Sequence, residues 1–365
     1  MRFFVALFLF IFLAGCSEGL APDPESAELT KPPPGAKAVQ PVAFATNRVV
    51  EHPEDFNLAS MTSERASSIT YGRAWVTIPD AHRIGVTERP KFVWWRGSVE
   101  KETTESHFRV MRLMSFSKDD FSAAMKNSQN SAMVFVHGYN STFEDAIFKA
   151  AQIAFDANFR GTVAAFSWPS RAQLLEYDYD TGSAEVSSNA LLEVLKAIKD
   201  TGVSKIYLVA HSLGSRVVTG ALERASLTGV KLDLAELIFA APDVDKDLFL
   251  QRAADIRAVA GAVTIYVSAS DKALLVSSKK AGDISRIGYV TAKGPTLVKG
   301  MEIIDVTAVG DDMFGLNHGT FSGSRSVLED IGQILLRGTH PPNLRSTTLR
   351  SMPDDKSVAY WLYPK

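Results

Sequence analysis

Ser212 is the residue of this chain best placed to act as a nucleophile. It lies in the pentapeptide AHSLG at residues 210–214, between an apolar strand pattern at 206–209 and a helical pattern at 216–224. A sharp turn from strand to helix admits only small residues two positions before and two after the serine, and this pentapeptide has alanine and glycine there. Such a turn would present the Ser212 hydroxyl above the edge of a sheet. Serine between small residues also occurs as a plain helix N-cap, so the motif needs the rest of a catalytic set.

The base that would activate Ser212 is predicted to be His318. A serine hydroxyl needs a base within hydrogen-bond reach, and in the chain order Ser, acid, His that base lies downstream of the serine. Only His318 and His340 occur downstream of Ser212. His318 lies between the last strand pattern and the last helix pattern, whereas His340 lies in the tail beyond that helix.

Two aspartates are candidates for the acid that orients the base. Asp271 follows the second strand pattern after Ser212, and Asp243 follows the first. The count of strands favours Asp271. Asp243 stays as the alternative acid, with helix capping as its other possible role.

Two backbone amides are predicted to form the oxyanion hole that acyl transfer requires. One is the amide of Leu213, directly after the nucleophile. The other is the amide of Tyr139, which follows Gly138 in the loop after the strand pattern at 132–136. Trp168 and Tyr177, ahead of the helix that leads to Ser212, are predicted to line the substrate entrance, and packing at the domain rim is the alternative.

The elements that would position these residues predict an α/β protein. Residues 41–130 have β-rich patterns, with strands at 42–46 and 71–78 and a loop at 47–68, and strand and helix patterns then alternate up to residue 337. This alternation predicts a mostly parallel central sheet with helices on both faces. The β-rich part is predicted to add strands to that sheet rather than to form a separate domain, and residues 338–365 form a C-terminal tail.

Several segments resemble those of one bacterial family. They are VFVHGYN, FSWPS, VAHSLGSR, AAPDVD, SASDKAL and LNHGTF, with FATNR and YGRAWVTIP upstream. Over residues 41–337 the chain is similar to a largely uncharacterised bacterial α/β-hydrolase family of the esterase/lipase superfamily. The resemblance implies the α/β-hydrolase fold and a Ser-Asp-His triad, and it brings no established substrate.

The N-terminal sequence predicts a lipid anchor. Arg2, an apolar run at residues 3–13 and the sequence LAGC ending at Cys16 resemble a bacterial lipoprotein signal, which would be removed before Cys16. Residues 16–40 are predicted to be a lipidated, proline-rich tether. Ser17 follows the cysteine, and by resemblance to Gram-negative lipoproteins this favours the outer membrane, facing the periplasm. An ordinary signal peptide is the alternative.

The net charge and the motifs of the chain bear on its possible partners and cofactors. The formal net charge is −2 over 365 residues and no basic run occurs, so nucleic acid is not a predicted partner. No HExxH motif or His/Asp ligand cluster occurs, so neither a metal nor a cofactor is predicted. The sequence therefore favours a serine hydrolase, of the carboxylesterase or lipase type, that cleaves a small-molecule acyl ester. Acyl transfer or amide cleavage by the same triad, and a non-catalytic envelope scaffold, are the alternatives.

Overall fold

The computed structural model describes residues 28–126, 129–173, 175–271, 274, 277, 285–309, 321–353 and 358–364. The strands are β1 (Ala36–Val50), β2 (Met61–Pro79), β3 (Phe92–Val93), β4 (Ser98–Val99), β5 (Arg109–Phe116), β6 (Ser131–Val136), β7 (Thr162–Ser167), β8 (Lys205–His211), β9 (Leu234–Ala240), β10 (Ala260–Val267), β11 (Glu302–Asp305), β12 (Arg350–Pro353) and β13 (Val358–Leu362). The α-helices are α1 (Lys118–Met125), α2 (Phe143–Asp156), α3 (Tyr177–Asp200), α4 (Gly214–Leu227), α5 (Lys246–Val259) and α6 (Phe321–Arg337).

A central sheet of 11 strands organises the molecule, in the order β12-β13-β11-β10-β9-β8-β6-β7-β1-β2-β5. The strands from β1 to β13 in this order are parallel to one another, and β2 and β12 run antiparallel to their neighbours. The predicted α/β fold with a mostly parallel sheet is thus confirmed. β1, β2 and β5 belong to this sheet, while β3 and β4 form a separate hairpin.

Helices cover both faces of the sheet, because the inner strands are apolar on both sides. All six residues of β6 are buried, for example, as expected for a central parallel strand. One core cluster lies under α1, α3, α4 and α5 and includes Leu191, Val217 and Phe249. The other lies under α2 and α6 and includes Phe148 and Ile331.

The parallel strands give the sheet two unlike edges. β6, β8 and β9 run in register, with Val136 opposite Ala210 and Ala210 opposite Phe239, so their carboxyl ends meet at one edge. We call this the C-terminal edge, and it is where Ser212 leaves β8. We call the other the N-terminal edge, where the parallel strands begin. In open parallel sheets the C-terminal edge is where ligands usually bind.

Three sequence-based boundaries are corrected by the structure. β1 starts at Ala36, inside the predicted tether, because residues 36–40 pair with the end of β2. The predicted loop at 47–68 is wrong at both ends, since β1 and β2 stay paired as far as Val50 and Met61. This extension is largely polar and mostly half-buried, so it lacks the apolar alternation that marks a strand. The tail contributes β12 and β13 to the sheet.

Of the helices in the described ranges, none is long and apolar enough to cross a membrane. The predicted signal segment and Cys16 lie outside the described residues.

Candidate active site

Ser212 occupies a strained turn between β8 and α4. Its φ is +47°, a left-handed conformation that residues with a side chain rarely adopt. Its amide donates a hydrogen bond to the carbonyl oxygen of Ala240 at 2.9 Å, and its own carbonyl accepts one from the amide of Asp243 at 3.1 Å. The end of β9 therefore holds the turn in place. Strain of this kind persists only where the surrounding structure imposes it, and it is concentrated at functional sites.

Two glycines let the loop after β6 pack directly against this turn. A methyl group on Gly138 would lie 2.9 Å from Ser212 Cβ and 2.8 Å from His211 Nδ1. A methyl group on Gly214 would collide with the carbonyl oxygen of His137. The two glycines are thus required for the close approach of the loop after β6 to the Ser212 turn.

The predicted oxyanion amides, of Tyr139 and Leu213, flank this contact. Leu213 is the N-cap residue of α4 and has no side-chain cap, so the positive end of the helix dipole lies at Ser212. No hydrogen bond between described residues uses the amide of Tyr139 or of Leu213. Two backbone donors beside a serine hydroxyl are the arrangement that stabilises a tetrahedral oxyanion.

A buried arginine contacts the loop between β6 and α2, residues 137–142. This loop contains the predicted oxyanion amide of Tyr139, and we call it the oxyanion loop. Arg48 is 2% exposed and donates hydrogen bonds to the carbonyls of Ser141 and Ser170 at 3.0 Å each, and to Ser167 Oγ at 3.0 Å. Burial lowers its pKa to about 10, and the Asp180 carboxylate opposes that shift. Arg48 therefore joins the end of β1 to the loops after β6 and β7.

Asp180, in the first turn of α3, holds the same loop from the other side. It is fully buried and accepts hydrogen bonds from the Asn140 amide at 3.2 Å, the Arg171 amide at 2.9 Å and Ser170 Oγ at 2.6 Å. Asn140 itself has a φ of +57°. Burial raises the pKa of Asp180, and these hydrogen bonds oppose the rise.

The sequence patterns did not indicate that Arg48 and Asp180 hold the loop after β6 in place. Arg48 ends the FATNR segment and Asp180 ends YDYD, so both motifs were visible in the sequence. Their contacts join residues up to 122 positions apart, and no local pattern reports such a distance.

Trp168 does not line an entrance, which corrects the sequence prediction. Its side chain is 0% exposed. Its ring stacks on His137 with centroids 4.8 Å apart, and its indole N–H donates to the His137 carbonyl at 2.8 Å. Burial, reinforced by the Arg48 charge, lowers the pKa of His137 to about 3, so this imidazole is neutral. Trp168 and His137 together fasten the loops after β6 and β7.

Tyr177 lies at the first residue of α3 and is also buried, at 9% exposure. Its hydroxyl donates to Asp243 Oδ2 at 2.8 Å, and its ring packs edge-on against Tyr139 at 5.4 Å between centroids. Burial, with the Asp243 charge, raises its pKa to about 12. Tyr177 therefore connects the oxyanion loop with Asp243 rather than standing at an exposed rim.

Asp243, the alternative acid, is already engaged on both oxygens. It is 3% exposed. Its Oδ1 accepts from Ser277 Oγ at 2.6 Å and pairs with Arg286 Nε at 3.1 Å, while Oδ2 accepts from Tyr177. Arg286 is equally buried. A carboxylate whose charge is matched by a buried guanidinium is better suited to hold the turn around Ser212 than to orient a histidine.

Asp271 lies four residues beyond the end of β10, at the C-terminal edge, and is partly exposed. Its Oδ1 accepts a hydrogen bond from the Leu274 amide at 3.0 Å. Two residues earlier, the Ala269 amide donates to Thr307 Oγ1 at 2.8 Å. The loop after β10 thus touches the segment after β11, the segment that continues to His318. His318 itself lies outside the described residues.

The described residues include no group of three or more His, Cys, Asp or Glu side chains able to hold a metal ion. The donors around Ser212 are hydroxyls, backbone amides, imidazoles and the buried guanidinium groups of Arg48 and Arg286.

Residues 115–337 of the chain match the family described as Alpha/beta hydrolase of unknown function (DUF900). No curated protein matches the chain.

Solved structures that match part of the chain include LpqC, a poly(3-hydroxybutyrate) depolymerase from Bordetella parapertussis, at 14% identity and a TM-score of 0.33, covering 59% of this chain and 85% of that one. A protein assigned as a cell surface hydrolase from Lactobacillus plantarum WCFS1 is 16% identical, with a TM-score of 0.35, covering 60% of this chain and 96% of that one.

Proposed function

The chain belongs to the family of α/β hydrolases of unknown function that residues 115–337 match, and we propose that it is a serine hydrolase acting on a carboxylic ester. Ser212 is the nucleophile, His318 the base and Asp271 the acid that orients it. The amides of Tyr139 and Leu213 form the oxyanion hole. The substrate is a small-molecule acyl ester, and no cofactor takes part.

One observation carries the proposal: the strained Ser212 turn has a backbone loop pressed against it. A plain helix N-cap has extended backbone and needs no such loop. Here the φ of Ser212 is +47°, and Gly138 lies so close that it leaves no room for a methyl group. The strain and the close approach together present a hydroxyl beside two amide donors.

The choice of Asp271 over Asp243 follows from their surroundings. Asp243 is committed to Arg286, Ser277 and Tyr177. Asp271 lies on the loop that contacts the segment leading to His318. The strand after which it lies, β10, is the second strand beyond the nucleophile, in keeping with the chain order of the triad.

In the proposed reaction, Ser212 Oγ attacks the acyl carbon while His318 takes the hydroxyl proton. The carbonyl oxygen becomes an oxyanion held by the Tyr139 and Leu213 amides. The intermediate collapses, and His318 passes its proton to the departing alkoxide, leaving an acyl ester on Ser212. Water, deprotonated by His318, then attacks that ester and releases the acid and the free serine.

Fluorophosphonate labelling of the full chain tests the nucleophile. The wild type is expected to be labelled and Ser212→Ala is not. Ser215→Ala is the matched control, because Ser215 lies one turn further along α4, is buried, and its hydroxyl has no hydrogen-bond partner among the described residues. Labelling of Ser212→Ala at the wild-type rate, or no labelling of the wild type, contradicts the proposal.

The second part of the proposal is attachment to the bacterial envelope through a lipid on Cys16, with the domain in the periplasm at the outer membrane. The support is the apolar run at residues 3–13 followed by LAGC. Cys16→Ser is expected to move the protein from the membrane fraction to the soluble fraction, with Ser17→Ala as the control that stays on the membrane. An unchanged distribution of Cys16→Ser contradicts the attachment.

A further inference from the structure

An aromatic hairpin lies in the connection between β2 and β5. It consists of β3, β4 and the turn between them, residues 92–99. Four of its apolar side chains are exposed: Phe92 at 64%, Trp94 at 78%, Trp95 at 69% and Val99 at 60%. A cluster of four exposed large apolar side chains within eight residues is unusual for a surface that meets only water.

Hydrogen bonds within the hairpin fix its backbone while these side chains are exposed. The Glu100 amide donates to the Lys91 carbonyl at 2.8 Å, and the Lys91 amide donates to Glu100 Oε2 at 3.1 Å. At the tip, the Arg96 amide donates to the Val93 carbonyl at 3.0 Å. Val93 points inward and is 9% exposed. The hairpin therefore holds its tryptophans outward instead of folding them onto the domain.

The hairpin belongs to the N-terminal edge of the sheet. It lies within residues 80–108, which join the end of β2 to the start of β5. Pro79 is paired with Ala36, the first residue of β1, and Arg109 is paired with Thr77. Because β1 runs parallel to β8, the start of β1 lies at the opposite edge from Ser212.

The N-terminal segment of the chain enters the domain at this same place. The Gly35 carbonyl accepts a hydrogen bond from the Asp80 amide at 3.1 Å, and Glu105 lies close against Gly35. The Ala81 amide in turn donates to the Glu105 carbonyl at 3.0 Å. Residues 80–108, which include the hairpin, thus lie directly beside the point at which the predicted tether meets the fold.

We propose that the hairpin inserts into the interfacial region of a lipid bilayer and docks the N-terminal edge of the domain on the membrane. Tryptophan side chains favour the boundary between head groups and acyl chains. Lys91 and Arg96 are exposed beside the indoles, and such cations are attracted to anionic head groups. The proposed lipid on Cys16, at the start of the tether, would bring this end of the domain to a membrane.

This docking would fix the orientation of the active site. With the N-terminal edge on the bilayer, the C-terminal edge and Ser212 face away from it. The domain would then take its ester from the aqueous side and not from the bilayer beneath it. The inference extends the proposed envelope attachment, and it does not depend on Ser212 being catalytic.

Quenching of tryptophan emission tests the inference. The full chain is bound to vesicles of phosphatidylethanolamine and phosphatidylglycerol whose acyl chains are brominated near the head groups. The wild type is expected to lose emission relative to unbrominated vesicles. The Trp94→Ala/Trp95→Ala variant is expected to lose that bromine-dependent quenching while Trp75 and Trp168, which are buried, still emit. Equal quenching of both proteins, or none in the wild type, overturns the proposal.

A relocated indole tests the orientation. Leu175 is 91% exposed and lies in the loop between β7 and α3, at the C-terminal edge. Leu175→Trp, added to the double alanine variant, is expected to show no bromine-dependent quenching. Quenching there as strong as in the wild type would mean that Ser212 faces the bilayer, and it overturns the proposed orientation.

Two further measurements separate the possible failures. In the Cys16→Ser background, the double alanine variant is expected to bind vesicles at least about tenfold more weakly, since interfacial affinity scales with buried apolar area; equal binding overturns the proposal even if Cys16 proves to be the anchor. Light scattering addresses a second copy of the chain as the occupant. A wild-type dimer that the double alanine variant loses, without lipid quenching, overturns the membrane as the partner.

Discussion

The two edges of the sheet bury their histidines in opposite ways. At the C-terminal edge, His137 faces the carbonyl oxygens of Gly138 and Trp168, and burial lowers its pKa to about 3. At the N-terminal edge, His82 lies between Asp156 and Glu88 at 2.8 and 2.9 Å. Burial would lower its pKa, but the two carboxylates outweigh that effect and raise it to about 8.

His340 extends the same contrast to the C-terminal tail. It bridges Glu236, near the start of β9, and Glu302, at the start of β11, at 2.8 and 3.0 Å. These two carboxylates raise its pKa to about 9. Arg345 adds buried pairs to Glu302 and Asp330. The tail is therefore fastened to the N-terminal edge by charge.

The two edges therefore differ in what their charged groups contact. Ion pairs at the N-terminal edge join elements that are distant in sequence. The loops around Ser212 also contain buried charges, but Arg48 and Asp180 bind mainly backbone groups there, and Asp243 is paired with Arg286. His137 contacts backbone carbonyl oxygens at this edge and stays neutral.

Asp271→Asn is expected to lower kcat on a short-chain aryl ester by about 10³-fold or more, because the base would lose its orienting charge. Asp243→Asn is expected to lower kcat less than about tenfold. It is expected to cost roughly 3 kcal/mol of unfolding free energy, since it leaves Arg286 buried without its counterion. Steady-state kinetics and urea unfolding of both variants check this. A larger loss of kcat in Asp243→Asn would reverse the assignment.

Gly138→Ala is expected to lower kcat by about 10²-fold with little change in KM. The added methyl group would push the oxyanion loop away from Ser212, and displacement of one donor has roughly that cost. Gly332→Ala is the control in the same assay: Gly332 lies in α6, and the nearest atom to its added Cβ is at 3.5 Å, an ordinary van der Waals contact. An unchanged kcat in Gly138→Ala would mean that the position of the oxyanion loop does not affect catalysis.

Asp180→Asn is expected to lower kcat by about tenfold. Both carboxylate oxygens of Asp180 accept hydrogen bonds, and the NH₂ group of asparagine would place a donor against one of those donors. Asp178→Asn, two residues earlier on the exposed side of α3, is the matched control. The ratio of their kcat values at constant KM is the readout. Equal kcat would mean that the oxyanion loop holds its position without Asp180.

The unfolding free energy is expected to fall as pH rises from 6.5 to 9.5. His82 and His340 have folded pKa values above the unfolded value of about 6.5, so their stabilisation is complete below that value and is lost as pH passes about 8 and about 9. The expected loss is about 2 kcal/mol from His82 and about 1 kcal/mol from the more exposed His340. Urea unfolding of the wild type and His340→Gln checks this. An unfolding free energy that stays constant or rises between pH 6.5 and 9.5 would contradict the ion pairing of these histidines at the N-terminal edge.

The local patterns of the sequence were sufficient for most of the elements and for the sharp turn at Ser212. The run at residues 131–136 is apolar because both faces of β6 are covered, and the small residues around Ser212 reflect a real steric limit. Trp168 was misjudged because an aromatic residue after a strand has the same local pattern whether its ring is exposed or stacked on His137. Arg48 and Asp180 were missed because their roles arise only when distant loops meet.

The same limit applies to the ends of the domain. β1 and β2 extend beyond the core as a polar ribbon held by cross-strand hydrogen bonds, which hydrophobic alternation does not report. β13 joins β11 through two residue pairs, and its place depends on the tail contacts at His340 and Arg345. The triad order Ser212, Asp271, His318 stays a prediction, because His318 lies outside the described residues.

Trapping of the acyl-enzyme tests the central claim most directly. The full chain is mixed with p-nitrophenyl acetate, quenched in acid within the first turnover and digested for mass spectrometry. The wild type is expected to release a burst of nitrophenol and to carry one acetyl group on the peptide that contains Ser212. Both results are expected to be absent from Ser212→Ala and retained in Ser215→Ala. Ester turnover without an acetylated Ser212, or with the acetyl group on another residue, would contradict it.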